Sequence, residues 1–501
     1  MLSMSSSNSR LERKMRRAES HAEWLAAATE HDLASGNNRW RLEQQSSDYD
    51  FQNIQSRVDE LRKLRARQDD VGLLYSLNQG IHGNQGGMGN AALYDRSKVG
   101  TKKLIEEYVD EIVDALNHIS QLPESDEITH EDKLDFFHRA HLCFGSSALM
   151  LSGAGSLGHF HHGVVKTLLE HDLLPDIISG SSAGSVFAAV LGTHTNEELH
   201  TVLNDASMMD PLSEDLEQKS SGFIRTQVDA ESLRLMLELT IPDMTFQEAY
   251  EKTGRSISVT IAPLEEHQSS RLMNAITSPN VYIRTAVLAS CAVPGIFPPV
   301  MLMAKNVYGE PQPYLPNRRW VDGAVTDDLP AKRLARLYGV NHYIVSQANP
   351  LALAMMSTDK LFPIPELSKS IMRHTTKEVL RASERFSRRY LRQIPSVGQA
   401  MSMFYAVMAQ DYQGDINIVP SFNYVDPQKL LARLTTKEIE DLVLEGERGT
   451  WTQLERIRIC TKIGRTLAKI LDHHAEHNIK SFYKKRVGGK SKTPVVLKSA
   501  S

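Results

Sequence analysis

The chain has 501 residues, 41% hydrophobic and 24% charged, a globular composition in a chain longer than one ordinary domain. Its 57 basic and 61 acidic residues leave a formal net charge of −4, so bulk charge carries no nucleic-acid signal. Three widely spaced cysteines, Cys143, Cys291 and Cys460, argue against a disulfide framework or a zinc site and fit a reducing compartment. No run of about 18 apolar residues is present to span a bilayer. The polar start Met1–Ser9, followed by charged Arg10–Glu19, does not read as a signal peptide, so a cytoplasmic protein is expected.

In chain order, residues 1–20 are polar and are expected to be frayed. Residues 20–145 read as helical and charge-rich, with Tyr108–Leu116 a clear amphipathic stretch. The glycine cluster His82–Asn90 breaks that pattern as a surface turn, and no P-loop lysine follows it. From 146 to 350 apolar strands alternate with helices, which predicts an α/β core around a mostly parallel sheet. Within it, the strand ending at Leu151 runs into a turn containing Gly153, Gly155 and Gly158, and then into a helix from His159 to Glu170. A second strand, Leu173–Ser179, leads to Gly180-Ser-Ser-Ala-Gly184 and a packed helix, Ser185–Leu191. Pro294, Pro298 and Pro299 mark a rigid loop expected near a site mouth, and Arg319-Trp-Val-Asp-Gly-Ala324 follows. Beyond 351 the chain reads as helical again, and its basic tail, 478–501, is expected to be disordered. The predicted domains are therefore 1–145, 146–350 and 351–501.

The chemistry concentrates in three of these segments. Gly180–Gly184 is a G-x-S-x-G pentapeptide between strand and helix, where a sharp turn exposes a serine hydroxyl beside a helix N-terminus. Small residues at Gly180, Ala183 and Gly184 permit that turn. Ser182 is the candidate nucleophile for acyl transfer. The turn with Gly153, Ala154, Gly155 and Gly158 gathers backbone N–H groups that would stabilise an oxyanion. Asp322, followed at once by Gly323 and Ala324, is placed to act as the base of a two-residue Ser/Asp site. This chemistry calls for no metal and no organic cofactor.

Other readings of the same residues stay open at this point. His342 follows Asp322 in the Ser…Asp…His order of a triad, although Val340–Ser346 reads as a strand in which a histidine is packed. His161 and His162 fit packing or capping better than catalysis. Gly153-x-Gly-x-x-Gly158 is also the dinucleotide fingerprint, with Asp172 and Asp176 near the ribose-binding spacing, but the serine elbow has no use there. A catalytically silent lipid-binding scaffold is a further alternative.

Taken in order, the glycine loop, the serine elbow and Asp-Gly-Ala resemble the patatin-like phospholipases. Residues 149–185, Thr285–Pro299 and Trp320–Pro350 are similar to the branch that holds the triacylglycerol lipases of yeast lipid particles and the plant seed-oil lipase. Asn38-Arg-Trp-Arg41 and the region up to 145 resemble the helical N-terminal domain of that branch, and Gln410–Ile416 resembles another of its features. The resemblance covers most of residues 38–460. It implies a three-layer α/β/α fold with helical N- and C-terminal regions, and lipid ester hydrolysis by Ser182 and Asp322. Phospholipase A or lysophospholipid acyltransferase activity is the alternative within the family. Two departures stand out. Ala154 replaces the middle glycine of the usual glycine run, and Asp327 and Asp328 stand near the place where many relatives have an asparagine before Leu-Pro or Pro.

A partner surface is expected from residues 366–410. Lys369, Arg373, Lys377, Arg381, Arg385 and Arg389 recur every four residues, a basic helical stripe ahead of the Met-rich Met401–Met408. That combination suits peripheral contact with an anionic membrane or a lipid droplet.

Overall fold

The computed structural model describes residues 2–204, 229–265, 268–350, 352–353, 414–421 and 432–488, with the backbone alone for 2–7, 325–326 and 475–488. The basic stripe Lys369–Arg389, the Met401–Met408 segment and Gln410–Gln413 lie outside the described residues. The described residues fall into two compact units. One comprises Met1–Asn37, Lys98–Gly100 and Ser146–Arg458, and the other Asn38–Ser97, Thr101–Gly145 and Ile459–Ser501.

The second unit is helical. Its central helix, Lys103–Gln121, buries Leu104, Ile105, Tyr108, Val109, Ile112, Leu116 and Ile119, the i, i+3/i+4 stripe that makes a helix bury one face. That stripe shares a core with Val58 and Leu61 of the helix Phe51–Ala66 and with Ile459, Ile463 and Leu467. Thr129 and Asp132 close a reciprocal capping box at the start of the helix His130–Phe144. Such a cap is worth about 1 kcal/mol.

The first unit is built on a sheet. Its strands are β1 (Ser146–Leu151), β2 (Ile177–Gly180), β3 (Ser256–Pro263), β4 (Arg271–Met273), β7 (Trp320–Asp322), β8 (Val340–Ser346) and β9 (Ile416–Ile418), while β5 (Met303–Lys305) and β6 (Pro311–Pro313) form a separate pair. The order is β4-β3-β2-β1-β8-β9, with β7 also on β3. Pairings among β3, β2, β1, β8 and β9 are parallel, and β4 and β7 run antiparallel to β3. Along β1, Leu149 and Leu151 enter one core while Ala148 and Met150 enter another. This two-residue alternation buries both faces and makes the sheet the middle of three layers. The helices His159–Glu170 and Ala183–Thr193 cover one face through Phe160, Val164, Val186 and Val190, and Ala331–Tyr338 covers the other through Leu334.

The helix Thr436–Trp451 lies against His159–Glu170 with backbones almost touching: a Cβ on Gly163 would stand 1.9 Å from the Val443 carbonyl oxygen, and one on Gly446 2.1 Å from that of Phe160.

Three elements differ from expectation. Leu2–Arg17 is a helix instead of a frayed end, because Leu11 and Met15 are buried and Met15 joins Ala18, Trp24 and Trp451 in an apolar cluster. Strand β9 interrupts a region read as helical: Ile416 and Ile418 are fully buried beside β8, but three residues are too short for a periodic signal. The last helix, Leu454–Gly488, continues into the segment expected to be disordered. Among the described residues, no helix is long and apolar enough to cross a membrane.

Candidate active site

The parallel strands deliver the serine elbow to the carboxyl end of the sheet. Gly180, the last residue of β2, pairs with Leu151 of β1 and Val259 of β3, and the helix Ala183–Thr193 begins three residues later. Ser182 sits between them at φ 50°, ψ −126°, a left-handed conformation rarely adopted by a residue with a side chain. The surroundings hold it there. Its N–H donates to Ser290 Oγ at 2.9 Å, Ser290 Oγ donates to the Thr260 carbonyl at 2.7 Å, and Ser185 Oγ donates to the Ser182 carbonyl at 2.6 Å. The flanking glycines are dictated by space. A Cβ on Gly180 would stand 2.2 Å from the Gly184 oxygen, and one on Gly184 2.3 Å from that of Leu151.

Asp322 reaches the same place from the opposite chain direction. Strand β7 runs antiparallel to β3 with Ile261 opposite Asp322, two residues beyond the Val259 that flanks Gly180. The loop that opens after the helix Ile283–Ser290 fixes it: the Asp322 N–H donates to the Ala292 carbonyl at 2.9 Å. Its carboxyl, in a residue only 3% exposed, accepts the Ala324 N–H at 2.8 Å and has the Ser182 side chain beside it. Burial pushes its pKa up to about 7, while the bond from Ala324 and the neighbouring Ser182 side chain pull the other way. A carboxylate with a pKa near the working pH is well suited to accept a proton from a neighbouring hydroxyl.

The glycine loop lies against this pair. A Cβ on Gly153 would stand 3.0 Å from the Ala324 Cβ and 3.4 Å from that of Ser182, and one on Gly158 only 2.6 Å from that of Ala183. Ala154, the replacement for the usual glycine, has a negative φ of −156° and so needs no left-handed backbone. The left-handed position falls one residue later, on Gly155 at φ 53°. No acceptor for the N–H of Ala154, Gly155 or Ala183 is found among the described residues, and these three groups are available to an oxyanion. The Gly153 N–H is engaged instead: it donates to Asp328 Oδ1 at 2.7 Å.

Two of these roles were missed in the sequence. Ala183 carried a signal, since the residue after an elbow serine commonly supplies an oxyanion donor. Asp328 carried none beyond standing in an unusual place.

The histidines serve other purposes. His342 pairs with Ser147 at the start of β1, and its Nδ1 lies 3.1 Å from Ser147 Oγ. The elbow is level with Leu151, four residues and roughly 13 Å further along the strand. His161 is fully buried, with Nδ1 2.7 Å from Ser346 Oγ and Nε2 2.9 Å from the Ser152 carbonyl. A carbonyl only accepts, so Nε2 carries the proton. Burial lowers its pKa to about 4 and keeps the ring neutral. His161 thereby ties the end of β8 to the start of the glycine loop. His162 bonds the Leu203 carbonyl at 2.7 Å.

The chain is similar to known proteins over most of its length. Residues 149–335 match the family model described as "Patatin-like phospholipase", and residues 1–142 match a "Domain of unknown function (DUF3336)". The chain is 32% identical to triacylglycerol lipase ptl3 of Schizosaccharomyces pombe, with 89% of this chain and 94% of that protein covered. It is 32% identical to triacylglycerol lipase SDP1L of Arabidopsis thaliana, covering 89% of this chain and 56% of that one. It is 34% identical to triacylglycerol lipase 4 of Saccharomyces cerevisiae, covering 88% of this chain and 50% of that one. The chain thus spans nearly all of the first relative and about half of the other two. With the three-layer fold, the serine elbow and identity of this extent, the chain belongs to the patatin-like phospholipase family.

Proposed function

We propose that the chain is a serine hydrolase of lipid esters that uses a Ser182/Asp322 dyad and acts on triacylglycerol. One observation carries the mechanism: the Ser182 side chain, on a strained elbow, stands beside a buried carboxyl that has no ion-pair partner among the described residues. Asp322 takes the hydroxyl proton as Ser182 Oγ attacks the ester carbonyl. The charge that develops on the carbonyl oxygen is met by the N–H groups of Ala154, Gly155 and Ala183. Collapse expels the alcohol, here a diacylglycerol, which leaves with the proton held by Asp322. Asp322 then takes a proton from water as its oxygen attacks the acyl-enzyme, and returns that proton to Ser182 Oγ as the fatty acid leaves.

The triacylglycerol preference rests on the names of the relatives, and phospholipid is the competing ester. Residues 146–350 would supply the lipase domain, flanked by residues 1–145 and 351–501. Arg373, Lys377, Arg381, Arg385 and Arg389 would dock the enzyme on a membrane or lipid droplet, a role drawn from sequence alone. A lipid panel tests the reading. Wild type should release fatty acid from emulsified triolein faster than from dioleoylglycerol or phosphatidylcholine, and Ser182→Ala from none. Ser182-dependent release from phosphatidylcholine alone would replace the substrate, and release unaffected by Ser182→Ala would end the dyad.

A further inference from the structure

Asp328 holds the three motifs of the site together. It is only 1% exposed and stands six residues after Asp322. Its carboxyl Oδ1 accepts the Gly153 N–H at 2.7 Å, the first donor of the glycine loop. Its carbonyl accepts Ser181 Oγ at 2.9 Å, the hydroxyl next to the nucleophile. The Asn349 side chain bonds the same carboxyl from beyond the end of β8. One residue of the Asp-Gly segment therefore grips the glycine loop with its side chain and the elbow with its backbone.

We propose that Asp328 is a positioning residue for ester hydrolysis: by engaging the Gly153 N–H it pins the glycine loop, withholds that donor from the oxyanion, and leaves Ala154 and Gly155 to receive it. This deepens the dyad reading and rests on it.

The carboxyl serves best in its neutral form. A second negative charge beside the loop would repel the oxyanion that the loop must hold. The groups that face it favour neutrality. Burial raises its pKa to about 8, with Asp322 and Asp327 adding to the rise and the bonds from Gly153 and Asn349 opposing it. A neutral acid still offers its carbonyl oxygen to the Gly153 N–H, and asparagine presents the same oxygen with no charge to gain.

The test compares Asp328→Asn with Asp328→Ala in the full chain, by two readouts. The first is hydrogen exchange of the peptide spanning residues 150–158, which needs no catalysis. Asp328→Ala should accelerate its exchange about tenfold and Asp328→Asn should leave it near wild type. The second is hydrolysis of a water-soluble p-nitrophenyl ester. Asp328→Ala should lose about 30-fold in kcat with KM within threefold, and Asp328→Asn should keep kcat within about threefold at pH 7. Wild type should lose rate as the pH rises past about 8, and Asp328→Asn should not, since it has no proton to release. Loop exchange unchanged in Asp328→Ala overturns the assignment, as does an Asp328→Asn that loses as much activity as Asp328→Ala. Activity that survives Ser182→Ala would instead sink the dyad, and the exchange readout would still decide the role of Asp328.

Discussion

Two buried acids show how differently the two units treat charge. Glu111, in the helical unit, is 7% exposed and is gripped by Arg62 and Arg65 from the neighbouring helix. Asp322, at the carboxyl end of the sheet, is 3% exposed, accepts one backbone N–H and has the Ser182 side chain beside it. Lys102 of the helical unit follows the first pattern, with its Nζ on the Trp40 and Glu43 carbonyls at 2.8 and 2.7 Å. Where the chain only has to fold, it gives a buried charge its complement. At the sheet end it leaves a carboxyl hungry for a proton, next to a serine held at positive φ, and that imbalance is what the proposed chemistry uses.

Substitutions can break this contrast, beginning with the largest effects. Ser182→Ala should lower ester turnover by roughly 10⁴-fold or more with a melting temperature close to wild type, and Asp322→Asn should lower it by roughly 10³-fold. Next comes pH. Asp322 acts only as the anion, so kcat/KM should rise with pH to a midpoint near 7 and fall about tenfold per unit well below it. Its effect on stability runs the other way. A carboxyl whose pKa is raised in the folded state favours folding when protonated, and that advantage is lost as the pH climbs from about 4 through 7. Asp322→Asn should therefore gain melting temperature over wild type at pH 8.5 and gain little at pH 4.

Smaller effects should follow from the remaining contacts. Gly446→Val puts a side chain into the Phe160 carbonyl and should cost about 3 kcal/mol by denaturant unfolding, without moving the midpoint of the pH profile. Glu111→Gln leaves two arginines short of a partner in the helical unit; a loss of roughly 1–2 kcal/mol is expected, again with the pH profile untouched. His342→Ala should change kcat by less than about twofold, because the ring stands a strand's length from the elbow. A larger loss there would restore the triad.

Much of this was readable before the fold. The stripe on Lys103–Gln121 and the alternation of strand and helix from 146 onward are periodic, and periodic burial leaves a trace in sequence. The elbow and the Asp-Gly turn were readable because steric limits leave few residues that fit, as the 2.2 Å approach at Gly180 illustrates. What escaped had no local signature. Strand β9 is three residues whose place is set by β8, and the helix Leu2–Arg17 is set by a cluster that includes Trp451. The hold of Asp328 on Gly153 joins residues 175 positions apart, and no spacing rule links them.

The pH dependence of fluorophosphonate labelling at Ser182 bears most directly on the central claim, because it reports activation of the hydroxyl without any lipid interface. Wild type should label faster as pH rises, with a midpoint near 7, and Asp322→Asn should label at least 100-fold more slowly with that midpoint gone. Labelling of Asp322→Asn at the wild-type rate, with the same midpoint, would show that Asp322 is not the base.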